Sequence, residues 1–266
     1  MVEALLPREG PFRDGARAAM AAGTAGGAFL AGYRSAVRAA FGVADGALAA
    51  TEDGPLHPAR IATTLRDGRV TGRKSFLTGV PGAVALVVLA REGSAGDRAI
   101  LRVVVVPVDA PGVTVTPSPP LPFAPDVPHA AASFVDAPVA RALPGDGWAE
   151  GVRPFRTVED VHALGALAAW LLAAAPRAGF SAASVEGLAA SLAALSALST
   201  ADPASPATHL ALAGVIAAAE RAWPELSLPD PAAQSAWRRD QALLAVARRA
   251  RAARAEAAAE AFRRGS

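Results

Sequence analysis

Hydrophobic positions along this chain change period twice. In the first 42 residues they recur at helical spacing, in an Ala-rich run at 15–22 and a second run at 27–41. In the second run Phe29, Leu30, Tyr33, Val37 and Phe41 share approximately one face. The segment Gly23-Thr24-Ala25-Gly26-Gly27 between them predicts a flexible break. From 51 to 148 the pattern becomes that of a meander of strands. Runs at 60–65 and 70–78 are rich in Thr, Val and Ile and flank Asp67-Gly68, which predicts a tight turn between two strands. Runs at 84–90 and 100–108 are apolar without clean alternation, so both faces of these strands should be covered by protein. The proline-rich stretch 117–125 cannot pair within a sheet and reads as a loop.

Helical period returns at 157. Thr157 is placed to cap a helix, with Asp160 three residues on as a weak capping box, and the helix should run to about 175, before Pro176. A second helix is expected at 181–198 and a third at 205–223, stopped by Pro224. Pro229-Asp230-Pro231 should open a fourth that continues to 264. Four such helices joined by short loops form an up-and-down bundle. The pattern therefore predicts an α+β chain: a short helical segment at 1–42, a β-domain at 43–152 and a helical bundle at 153–266.

Composition narrows the function classes. The 266 residues suffice for a sizeable core, and the 52% hydrophobic content is mostly Ala with only 5% aromatics, as in small-residue helix packing. The most apolar helical stretch, 165–175, is too short to cross a bilayer, so no transmembrane helix is expected. With 26 Lys and Arg against 24 Asp and Glu, the net charge of +2 points to no polyanionic partner. Arg238, Arg239, Arg248, Arg249, Arg251, Arg254, Arg263 and Arg264 cluster near the end, against Asp240, Glu256 and Glu260 and without interleaved aromatics, which predicts a solvated helix face rather than a nucleic-acid surface. The absence of Cys excludes disulfides and thiolate chemistry, and the four scattered His do not form a metal-ligand set. The N-terminus lacks the basic-then-apolar layout of a signal peptide, so a cytoplasmic location is expected.

The segment Lys74-Ser75-Phe76-Leu77-Thr78, with the runs 105–115 and 133–147 downstream, resembles the middle β-domain of the flavin-dependent acyl-CoA dehydrogenases. The resemblance extends over roughly residues 28–250. It implies a middle domain of antiparallel β-barrel or sandwich type followed by a C-terminal four-helix bundle. It also implies FAD as cofactor and an acyl-CoA thioester as substrate, oxidised by α-proton abstraction with hydride transfer to flavin. Assembly into a homo-oligomer, or a hetero-oligomer with a related subunit, is a further implication.

Carried over residue by residue, the resemblance places Thr51 in the loop that touches substrate and flavin edge, although Pro55 to Pro58 replace the family's small residues there and an ordinary acidic turn fits equally. Phe76 stands where the family has a Trp against the flavin, and Thr78 where a hydroxyl bonds the ring; Phe76 also fits a sheet-core aromatic. Glu159 falls on one of the family's positions for the catalytic base, with Asp160 where an Arg is usual; an acid in a first helical turn is also favoured by the helix dipole alone. Arg156, with Arg153, is a candidate phosphate or carboxylate contact, and His162 lies one turn from Glu159. Arg239-Asp240 resembles the family's Arg-Asp segment, but residues 251–260 replace the Glu-Gly-Thr turn that grips the flavin pyrophosphate. Two functions thus stay open: a flavoenzyme, or a non-catalytic companion subunit or binding protein that keeps the fold.

Overall fold

Strands β1 (Gly46–Ala49), β2 (Thr64–Arg66), β3 (Arg69–Thr78), β4 (Ala85–Ala95), β5 (Arg98–Pro107), β6 (Val113–Pro117), β7 (His129–Pro138) and β8 (Arg141–Ala142) form one sheet. Its order is β6-β7-β3-β2-β4-β5-β8, with β1 paired to β4. Most neighbours run antiparallel, but β1 and β2 both pair with β4 in parallel, so the sheet is mixed and ends at β6 and β8. The Asp67-Gly68 turn joins β2 to β3 as the pattern predicts. The expected strand at 60–65 is shorter: Pro58–Arg60 form a 3-10 turn, with the His57 ring accepting the Ala59 N–H, because Pro58 fixes φ in the helical range and offers no donor to a ladder. Residues 85–90 of β4 and 103–106 of β5 are buried without alternation, as their continuous apolar runs require.

This is a computed structural model, and it describes residues 1–54, 56–96 and 98–264; Pro55, in the altered loop after Thr51, lies outside the described residues. Two units are distinguished: Met1–Ala36 with Leu121–Asp126 and Thr157–Ser266, and Val37–Pro120 with Val127–Arg156. The second unit holds the sheet, whose core is built from Val70, Leu77, Leu86, Val88, Val104 and Phe134 among others.

The first unit is helical. Its elements are α1 (Pro11–Met20), most of α2 (Ala25–Phe41), most of α3 (Arg153–Ala178), α4 (Ala182–Leu198), α5 (Pro206–Ala222), α6 (Pro231–Asp240) and α7 (Arg248–Arg263). Ser181, Ser205 and Asp230 cap α4, α5 and α6, each side-chain oxygen accepting a backbone N–H of the first turn. Helix α3 is the buried member. Its Trp170 indole donates to the Ala22 carbonyl at 3.1 Å and its ring lies 5.8 Å from that of Trp237 on α6.

Three expectations for the helices fail for identifiable reasons. Thr157 is no cap, because the chain is already helical before it: the Asp146 carboxylate accepts from the N–H groups of Trp148 and Ala149 and starts a π-helical turn, Gly147–Val152, that runs directly into α3. Thr157 is instead buried, its hydroxyl 3.3 Å from His209 Nε2. Pro176 does not stop α3, which continues to Ala178 and ends at Gly179 with φ +64°. The stretch Gly147–Ala178 is consequently long and apolar enough to cross a membrane, yet 78% of its most apolar window is buried within the protein, as in a core helix. The long fourth helix is also broken. After α6 a 3-10 turn, Gln241–Ala245, and a left-handed Ala247 re-aim the chain, with Leu243 and Leu244 buried. The anchor is Asp240, fully buried, whose carboxylate takes a bidentate Arg239 and the Ala124 N–H at 2.7 Å, tying the proline-rich loop to the helical unit.

Candidate functional site

Strands β3 and β7 pair with two opposite irregularities, an extra residue on β7 opposite the step from Val70 to Gly72 and an extra residue on β3 between Lys74 and Leu77. Lys74 faces Ala132 and Leu77 faces Ala130, so three steps on β3 match two on β7, a β-bulge at Ser75 and Phe76. Before the bulge Val70 and Lys74 point to the core; after it Leu77 does. Phe76 is thereby turned outward, 57% exposed, with its backbone at φ +56°, a conformation costly for a bulky side chain. Of the two readings its position allowed, the sheet-core aromatic is excluded. Its ring is not unsupported: the His129 ring lies 4.8 Å away at 37°. Thr78, two residues on and partly buried, takes the same strand face as Phe76 and pairs in register with His129.

The loop before β2 is tied to this bulge. Ser75 N–H donates to the Thr51 carbonyl at 2.8 Å, which ties Thr51 to the bulge residue that precedes Phe76. Glu52 then turns inward: its Oε1 accepts from Lys74 Nζ at 2.7 Å and from the Thr63 N–H, and its Oε2 accepts from the Ala62 N–H. Lys74 is fully buried and also donates to the Ala50 carbonyl at 3.3 Å. Burial drives the Lys74 pKa down to about 8, against the raising effect of Glu52. Burial would raise the Glu52 pKa, but the Lys74 ammonium and the two backbone donors outweigh it and hold the carboxyl below its usual range. Glu52 is thus a structural carboxylate, and the sequence signal for it is a Lys at an inward-facing strand position.

Gly72 makes this arrangement possible. At φ +148°, a Cβ there would lie 2.6 Å from Thr63 Cα, so only glycine lets β3 approach the Thr63 segment whose amide holds Glu52. Burial lowers the His129 pKa, with the Val127 carbonyl acting in the opposite direction, so the ring behind Phe76 is neutral at neutral pH. The result is the exposed ring of Phe76 on the buried His129, with Thr78 paired to His129 in register, while Lys74 is directed into the interior. Such a surface fits the planar, largely apolar face of a flavin ring with polar atoms at its edge.

The remaining sequence candidates lie on α3. Glu159 is partly buried and Arg156 exposed. Asp160 occupies the position where the resemblance expects an Arg, and it is far from idle: Arg251 Nη2 reaches its Oδ1 at 2.7 Å and Arg254 bonds its Oδ2. The expected solvated arginine face is therefore only partly that, since Arg248, Arg249, Arg263 and Arg264 are exposed while Arg251 and Arg254 turn inward to Asp160. His162 is buried, its Nδ1 2.7 Å from Ser35 Oγ.

No protein-family model and no curated protein sequence matches this chain. Its fold is nonetheless shared with solved structures. Butyryl-CoA dehydrogenase from Megasphaera elsdenii is similar over 93% of this chain and 80% of its own, with a TM-score of 0.62 at 13% identity. An acyl-CoA dehydrogenase from Geobacillus kaustophilus is similar over 79% of this chain and 67% of its own, with a TM-score of 0.57 at 18% identity. The FAD complex of PigA is similar over 97% of this chain and 83% of its own, with a TM-score of 0.65 at 12% identity. At such identities the likeness is one of architecture: the chain has the acyl-CoA dehydrogenase fold, in divergent form.

Proposed function

We propose that this protein binds FAD with the flavin ring against the Phe76 ring and oxidises an acyl-CoA thioester. The observation that carries the reading is Phe76: an aromatic ring held outward by a bulge and a left-handed backbone, at a cost of about 1–2 kcal/mol that burial does not offset. Such strain is understandable where the ring serves a ligand. Solved structures of the same fold, the FAD complex of PigA and a butyryl-CoA dehydrogenase, support the choice of ligand class.

FAD, when bound, supplies the acceptor for a hydride from the thioester's β-carbon. Phe76, backed by neutral His129, offers an apolar face that excludes water from one side of the ring. The hydroxyls of Thr51 and Thr78 would hold its polar edge by hydrogen bonds. Glu159 is the residue we assign to take the α-proton onto a carboxylate oxygen, and Arg156 to contact phosphate. The second reading, a non-catalytic companion subunit or binding protein, is favoured by α7, an unbroken helix where the resemblance expects the turn that grips pyrophosphate.

Titration of the purified chain with FAD, followed by visible absorbance, tests the first step. Saturable binding that is lost in Phe76→Ala is expected; a protein that ignores FAD sinks the proposal. Bleaching of the bound flavin by butyryl-CoA, abolished by Glu159→Gln without loss of FAD, is expected of the enzyme. Flavin binding with no bleaching by any acyl-CoA would leave the non-catalytic reading.

A further inference from the structure

Helices α5 and α7 enclose a cleft of about 170 Å³ whose walls are Ala213, Ile216, Ala217, Ala252 and Ala255 and whose rim carries His209, Glu220, Arg248, Arg251 and Arg254. Its charge is unbalanced. Arg251 and Arg254, with side chains only 9% and 16% exposed, share the single carboxylate of Asp160. Arg251 engages all three of its nitrogens, Nε and Nη2 with that carboxylate and Nη1 with the Leu244 carbonyl. Arg254 commits only Nη2, and its Nε–H and Nη1 groups donate to no group among the described residues. Arg248, on the same rim, has Glu220 as its carboxylate partner at 3.4 Å through Nε, leaving its terminal nitrogens to the cleft mouth. Three guanidiniums therefore face two carboxylates, and the inner pair is held in a largely desolvated setting where an uncompensated cation is costly.

We infer that the α5–α7 cleft is a binding site for a small organic carboxylate, its head group received by Arg254 and Arg248 and its short hydrocarbon body lying against the alanines of the two helices. A carboxylate supplies the missing negative charge and matches the planar donor fork of a guanidinium. The apolar walls select against an anion that is polar all round, and the small volume, below that of a pocket for a drug-sized molecule, limits the body to a short chain. His209 helps to shape the rim: its Nε2 lies 2.9 Å from the Pro203 carbonyl, which requires a donated N–H there and fixes the tautomer. This site lies within the helical unit.

The test is calorimetric titration of the full chain with sodium butyrate and, separately, with inorganic phosphate, together with the shift in melting temperature at saturating anion. Saturable butyrate binding, stronger than that of phosphate, is expected. Arg254→Gln should weaken it by about tenfold or more, the worth of one charge-assisted hydrogen-bonded pair. Because that change also touches the Asp160 cluster, a second variant, Ala217→Leu, fills the cleft while leaving every charge in place, and it should abolish butyrate binding without lowering the melting temperature of the free protein. Absence of butyrate binding, equal binding of both anions, or butyrate affinity unchanged in Ala217→Leu would overturn the inference. None of these readouts depends on flavin, so they are separable from a failure to bind FAD.

Discussion

The ring of Phe76 lies 4.8 Å from that of His129 across the β3–β7 pair, while the Phe76 backbone sits at φ +56° in a β-bulge. Two opposing energies meet at this residue. The ring contact stabilises by about 0.5–1.5 kcal/mol, whereas the left-handed backbone costs about 1–2 kcal/mol. Phe76→Gly removes both, so its unfolding free energy should stay within about 1 kcal/mol of the parent while FAD affinity falls by about tenfold or more. Chemical denaturation and flavin titration of the same sample measure the two effects. A loss of several kcal/mol would instead make Phe76 a packing residue.

Glu52 and Lys74 form a buried pair, so removing one charge is worse than removing both. Glu52→Gln leaves the Lys74 ammonium without its carboxylate and should destabilise the protein by about 3 kcal/mol or more. In the double variant Glu52→Gln with Lys74→Met, much of that loss should be recovered. Equal destabilisation of the single and double variants in urea would show that the pair is not coupled.

His162 gives the helical unit a defined acid sensitivity. Ser35 Oγ donates to the Gly32 carbonyl and so accepts from His162 Nδ1–H, which leaves Nε2 as a buried acceptor with no partner among the described residues. Burial lowers the pKa from 6.5 to about 4. The unfolded chain therefore binds this proton first as pH falls, and the stability contributed by the neutral ring is complete above about pH 6.5 and lost progressively down to about pH 4. The loss amounts to about 3 kcal/mol. In His162→Gln, the difference in unfolding free energy between pH 7 and pH 4 should shrink by about that amount.

At Gly32 helix α2 approaches α3 too closely for a side chain. A Cβ there would lie 2.6 Å from the His162 carbonyl oxygen and 2.7 Å from Ala163 Cα, both backbone atoms that cannot swing aside. Gly32→Ala should gain about 1 kcal/mol of helix propensity and still be net destabilising by about 1–3 kcal/mol, because the two helices must separate. Thermal unfolding checks the sign; a stabilised variant would mean that the helices have room to give.

Much of the architecture was readable from local chemistry. The Asp67-Gly68 turn, the doubly buried runs of β4 and β5, and the serine and aspartate caps of α4, α5 and α6 each depend on a few adjacent residues whose backbone and solvent preferences agree with the fold. Thr157 and the fourth helix misled for the opposite reason. Asp146, eleven positions upstream, had already started the helix, and Asp240 was committed to the distant Ala124 amide, so partners remote in sequence overrode propensities that were locally sound.

The same division applies to chemistry. Phe76, Thr78 and Thr51 were candidates only through the resemblance of their segments to the acyl-CoA dehydrogenases; periodicity by itself marked Phe76 no differently from a sheet-core aromatic. Tertiary structure decided that one extra residue on β3 turns Phe76 out of the core, that Glu52 turns in to meet Lys74, and that Arg251 and Arg254 leave solvent to share Asp160. Spacing along a chain sets which face a side chain takes relative to its neighbours. Bulges, buried charges and clefts arise from the fit of segments far apart in sequence, where the low dielectric of the interior makes a single carboxylate or a single extra residue decisive.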